Sequence, residues 1–97
     1  MLRHIVLIKS EVPEKVQAIL KAMVYIPDIL PGLLRYEYGS DINGRTLGYD
    51  NIFIMDFKDK DALQAWVEHP KHIPIRKALR SFGELLIFDY EFDNATA

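Results

Sequence analysis

Two of the chain's three histidines and its single tryptophan fall within one short stretch, Trp66-Val67-Glu68-His69-Pro70-Lys71-His72. Imidazole has the ordinary pKa nearest neutrality, so this cluster is where a proton could be moved. Pro70 lacks an N–H and disfavours helical backbone at His69. A helix carrying Trp66 should therefore end here and leave His72 at the rim of a pocket. The third histidine, His4, lies in an apolar strand pattern near the N-terminus, and Asp89 in another near the C-terminus. If those strands share a face, the carboxylate can fix the imidazole tautomer and orient the ring as a base. The plain alternative makes His4 and Asp89 a hydrogen-bonded pair that ties strand ends together. For His72 the plain alternative is a helix cap or a bond to a backbone carbonyl. His69, directly before proline, is expected to anchor the turn, and Trp66 to be a core residue.

Other chemistries find little support. His69 and His72 are separated by a proline, share no helical face and have no third ligand beside them, so no metal is expected. There is no cysteine, which removes thiolate ligands and nucleophiles. No glycine-rich phosphate loop and no Ser-His-Asp pattern is present, and no cofactor is expected. A net charge of −2 argues against nucleic acid as a partner. Arg76, Lys77 and Arg80 are the only basic concentration, read here as a solvated helix face. No apolar run approaches the length of a membrane span and no leader pattern is visible, so the expectation is a cytoplasmic protein.

The elements that must position these residues follow from periodicity. Ninety-seven residues suit one domain spanning 1–97. Leu2 to Lys9 alternates His4, Val6 and Ile8 against Ile5 and Leu7, a strand apolar on both faces. A helix follows from about Pro13, with Val16, Ile19, Leu20, Met23 and Val24 as its stripe. Pro27 and Pro31-Gly32 are expected to end it. Leu34 to Gly39 reads as a strand with Leu34, Tyr36 and Tyr38 on one face. Asp41 to Asp50 reads as a flexible polar loop. Tyr49 to Phe57 sets Phe53, Met55 and Phe57 against Ile52 and Ile54. Asp59 is expected to cap a helix with the stripe Leu63, Trp66 and Val67. Ile73 to Phe82 adds a helix ended by Gly83. Leu85 to Phe92 is the last strand, with Leu85, Ile87 and Asp89 opposite Leu86, Phe88, Tyr90 and Phe92. The tail 94–97 is expected to fray.

The order β-α-β-β-α-β predicts an α+β, ferredoxin-like fold, two helices packed on one face of a four-stranded antiparallel sheet. The other face carries Leu7, Ile52, Ile54, Leu86 and Phe88, too much apolar surface to leave in water. A second copy pairing sheet to sheet covers it, so a homodimer is expected. On the helix side, Val6, Met23, Phe53, Met55, Trp66 and Ile87 would line a small apolar pocket rimmed by His72, His4 and Asp89.

Several motifs carry a family resemblance. His4-Ile5-Val6-Leu7, Pro31-Gly32, Gly48-Tyr49-Asp50, His69-Pro70-Lys71-His72 and Phe88-Asp89-Tyr90 together resemble the stress-responsive α/β-barrel (Dabb) domain over essentially the whole chain. The resemblance implies a dimeric α+β barrel. Its polyketide (aldol) cyclase type implies an essential histidine at His72, with a strand-one histidine at His4 and an aspartate at Asp89. Where that type carries tyrosines, this chain has Trp66 and Met23. Two functions follow as expectations. One is a dimer that holds a small apolar or polyketide-like ligand without acting on it. The other is a cofactor-independent lyase, cyclase or isomerase with His72 as general base.

Overall fold

β-Branched and leucine residues dominate Leu2–Ser10, and their alternation sets the frame of the molecule. In a computed structural model, which describes residues 1–93, this segment is the central strand β1. The tail expected to fray, 94–97, lies outside the described residues. β1 pairs antiparallel with β3 (Asn51–Phe57) on one side and β4 (Gly83–Glu91) on the other. β2 (Leu33–Ser40) completes the order β2-β3-β1-β4, the ferredoxin-like arrangement. The register sets His4 between Met55 and Asp89, and Val6 between Phe53 and Ile87. Those residues share one face, with Leu2, Ile8 and Phe57, and most are buried beneath the helices. A one-residue slip would turn the whole set to the other face, so burial pins the register.

Helix α1 (Pro13–Ala22) has Pro13 in its first turn, where a missing N–H costs nothing, and buries Val16 and Leu20. Pro27 does not end the helical segment as expected. A 3₁₀ turn, Met23–Tyr25, leads into a one-turn helix α2 (Ile26–Ile29) with Pro27 at its start. A proline is tolerated in a first turn, so the restart satisfies it. The tightened turn keeps Met23 buried but swings Val24 out to 57% exposure, off the expected stripe. Gly32 then lets the chain pass α3 (Lys60–Val67), since a Cβ there would lie 2.5 Å from that of Ala62.

In β2 the expected face is wrong by one residue at its start. A bulge between Leu33 and Arg35 leaves Leu34 unpaired and exposed, while Leu33 is buried. Tyr36 and Tyr38 face the helices as expected, opposite Met55 and Phe53. Tyr49 and Asp50 stand outside β3, in the loop. That loop is tied rather than loose: the Asp41 carboxylate accepts from the Gly44 N–H, and Asp50 accepts from the Ser10 N–H.

Asp59 caps α3 as its type predicts, accepting from the Ala62 N–H at 2.9 Å. Trp66 is buried, whereas Val67 is more exposed than the expected stripe allows. α4 (His72–Phe82) runs straight into β4 with no intervening loop. Gly83 ends α4 as expected, in extended backbone. Its missing side chain serves a close approach: a Cβ would sit 2.1 Å from the Lys9 carbonyl oxygen.

The outer face of the sheet shows Leu86, Phe88 and Tyr90 exposed, beside half-buried Ile5, Leu7, Ile52 and Ile54. Among them lies a charged group that the apolar count overlooked. Asp56, only 4% exposed, receives bonds from Arg3 at 2.8 and 3.0 Å and from Arg35 at 3.1 Å. The Arg3 bond holds its carboxyl below the usual range, with Arg35 adding to the effect and partial desolvation opposing it. Among the described residues, no helix is long and apolar enough to cross a membrane.

Candidate functional site

Between α3, α4 and the β1/β4 half of the sheet is a cavity of about 250 Å3. Val6 and Phe53 form its floor, Met23 and Trp66 one wall, and Ile87 and Asp89 of the edge strand the other. His72 and His4 both line it. Eight of the nine residues singled out from sequence as apolar lining or chemical groups, His72 and His4 among them, thus surround one space. Met23, Phe53, Val6, Trp66 and Ile87 all contribute surface. Met55 does not, which corrects the expectation. It lies on the correct sheet face but is fully buried in the core and lines no part of the cavity.

The sequence explains why His72 is held where it is. α3 ends after Val67, and the His69 Nδ1 accepts from the Lys71 N–H, fixing the turn through Pro70 as expected. The His69 carbonyl in turn accepts from the His72 N–H at 2.9 Å. His72 opens α4, and its Nδ1 donates to the Val67 carbonyl at 3.0 Å. That bond chooses the tautomer and leaves Nε2 unprotonated, as a base requires. The ring also meets Trp66 edge to face, centroids 4.9 Å apart. Burial pushes the imidazole pKa below its ordinary value; the Val67 bond opposes this, and Arg76 and His4 add to it. Asp89 makes no bond to His72.

Its partner is His4. The facing register of β1 and β4 brings the Asp89 carboxylate onto His4 Nδ1, a short hydrogen bond with the ring nitrogen donating. The His4 side chain is 12% exposed and packs against the rings of Phe53 and Phe57. Both pocket histidines are therefore gripped through Nδ1, one by a carboxylate and one by a backbone carbonyl, and both keep Nε2 for a ligand. Such a pair can take a proton from a bound molecule at one ring and return one at the other.

Arg76, Lys77 and Arg80 are exposed, as a solvated face predicts, and Arg76 and Arg80 also line the cavity, while Lys77 does not. Spacing held the signal: His72, Arg76 and Arg80 recur every four residues, so they follow one side of α4 beside Ile75 and Leu79.

The profile of the "Stress responsive A/B Barrel Domain" family matches residues 2–92. Olivetolic acid cyclase of Cannabis sativa is 30% identical over 94 residues, covering 91% of this chain and 93% of that protein. Stress-response A/B barrel domain-containing protein HS1 of Arabidopsis thaliana is 27% identical over 82 residues, covering 81% and 75%. A dimeric ferredoxin-like protein of unknown function from Jannaschia sp. CCS1 superposes with a TM-score of 0.84 at 25% identity, covering 94% and 98%. The chain belongs to the stress-responsive A/B barrel domain family.

Proposed function

We propose that the chain is a cytoplasmic homodimer, paired through the outer sheet face, whose protomers each bind a small, largely apolar carbonyl compound. His72 acts there as the general base on an acidic carbon, and the His4–Asp89 pair as the second proton carrier. One observation carries this reading: His72 is locked through Nδ1 while burial keeps its pKa low, so a neutral Nε2 is available at neutral pH. The cavity lining supports an apolar ligand, and its volume lies below the roughly 300–1,000 Å3 of drug-sized sites. Pairing is supported by the exposed Leu86, Phe88 and Tyr90, and by the dimeric state of the Jannaschia relative. The likeness to olivetolic acid cyclase supports proton abstraction as the reaction class. Trp66 and Met23 stand where the cyclase type carries tyrosines, which leaves the acid–base work to the two histidines.

The test is hydrogen exchange at the carbon next to a ketone, read by proton NMR with phenylacetone in D2O. The wild-type protein should accelerate deuteration, and His72→Ala should lose about a hundredfold or more of that acceleration. The lost Val67 bond should lower stability by only about 1 kcal/mol. Equal exchange by both proteins, with stability alone reduced, would make His72 a structural residue and sink the proposal.

A further inference from the structure

The cavity has an uneven charge pattern. Its lining includes Arg76, Arg80, His4, His72 and one carboxylate, Asp89, which His4 already occupies. On the outer sheet face Arg3 and Arg35 share Asp56, and Arg35 also reaches Glu37, whereas exposed Arg45 in the β2–β3 loop makes no ion pair among the described residues. Among the described residues, no ion pair or hydrogen bond ties Arg76 or Arg80. Two like charges four residues apart on a helix repel one another. Arg80 lies in the last turn of α4, where the helix dipole favours a cation, so the repulsion comes from the side chains and not from the dipole. An anion between the two guanidinium groups would relieve this repulsion.

We infer that the pocket takes a small carboxylate-bearing ligand, with its apolar body against Val6, Phe53 and Trp66 and its carboxylate on Arg76 and Arg80. The inference rests on the cavity being the ligand site and adds the class of ligand. Residues four apart on a helix place their Cβ atoms about 5–6 Å apart, so two guanidinium groups can converge on one anion. Guanidinium forks match a carboxylate in two-pronged geometry. The limited volume favours a compact acid over a nucleotide-sized anion. Such a placement brings the carbon chain next to the carboxylate toward His72, one turn away on the same helix face.

Titration of the full protein at low salt with hexanoate, 1-hexanol and hexyl phosphate tests this by NMR shift mapping. Hexanoate should bind about tenfold or more tighter than 1-hexanol, the value of a charge-assisted pair. In the double variant Arg76→Gln, Arg80→Gln the preference should vanish while 1-hexanol binds as before. Lys77→Gln removes a charge from the same helix outside the cavity and should keep the preference; if it loses it equally, net charge is responsible and the site assignment falls. Hexanoate binding no tighter than 1-hexanol overturns the inference and leaves the pocket reading standing. If neither binds, both readings fall together. A preference for hexyl phosphate over hexanoate overturns the carboxylate assignment.

Discussion

Replacing Gly83 with alanine should damage the junction that joins α4 to β4. The added Cβ would lie 2.1 Å from the Lys9 carbonyl oxygen and 2.9 Å from its carbon. Both are backbone atoms of the central strand, so no side chain can rotate away to make room. Real Cβ atoms essentially never approach within 3.0 Å, so the strands must separate by close to an ångström at this point. That movement endangers the Ser10–Gly83 pairing and the bond of 2.6 Å from the Ser10 hydroxyl to the Phe82 carbonyl. At about 1 kcal/mol per bond, with distorted packing of α4 added, the loss comes to about 2–4 kcal/mol. Alanine recovers about 0.4–1 kcal/mol by restricting the unfolded chain, which leaves a net loss of about 2–3 kcal/mol. For a domain of this size that corresponds to a fall in Tm of about 10 °C or more. Urea and thermal melts should be run at fixed protein concentration, because association shifts apparent stability. Gly39→Ala is the control: no atom lies within 4 Å of its Cβ position, so stability should hold or rise slightly. Gly83→Ala melting within about 0.5 kcal/mol of wild type would refute the close approach.

Two further outcomes concern the outer sheet face. Phe88, 64% exposed in one chain, should be covered in the dimer, so Phe88→Glu should convert it to monomer or unfold it in sedimentation; an intact dimer would mean the other face pairs. Asp56→Asn should remove a pH dependence. The Asp56 pKa is depressed in the folded chain, so its contribution is present above the ordinary aspartate value of about 3.9 and fades as pH falls toward the folded value. Wild type should therefore lose stability between neutral and strongly acidic pH more steeply than Asp56→Asn. Parallel stability–pH curves would mean that the two arginines do not hold this carboxylate.

Period-two alternation made the sheet legible. His4, Val6 and Ile8, or Leu85, Ile87 and Asp89, must point one way once a strand is assigned, and the register follows from burial. Asp59 gave away its helix start because its side chain satisfies an N–H that nothing else can reach. Depth was not legible. Met55 and Phe53 share a face, yet only Phe53 reaches the cavity, because the helices above decide which side chain is covered completely. The bulge at Leu34 was hidden because Leu33 and Leu34 are the same residue type, so either could have been the inward one. That exposed Arg76 and Arg80 also border the cavity was not legible for a related reason. Their side of α4 is set by where the helix lies over the sheet, and an arginine at a rim has the same sequence pattern as one in open solvent.

Strand β4 faces two surroundings in alternate residues. Ile87 and Asp89 look into the cavity, and Leu86, Phe88 and Tyr90 look out from the opposite side of the same backbone. As an edge strand it is hydrogen-bonded only to β1, so its other edge is not held by a neighbouring strand. A molecule that shifts β4 when it enters must also shift the surface offered to a second chain. Occupancy and self-association then become heterotropically linked, and the linkage is reciprocal: a ligand that tightens pairing is itself held more tightly by the paired form. Protein concentration would in that case act as an effector of ligand affinity, and ligand supply as an effector of assembly.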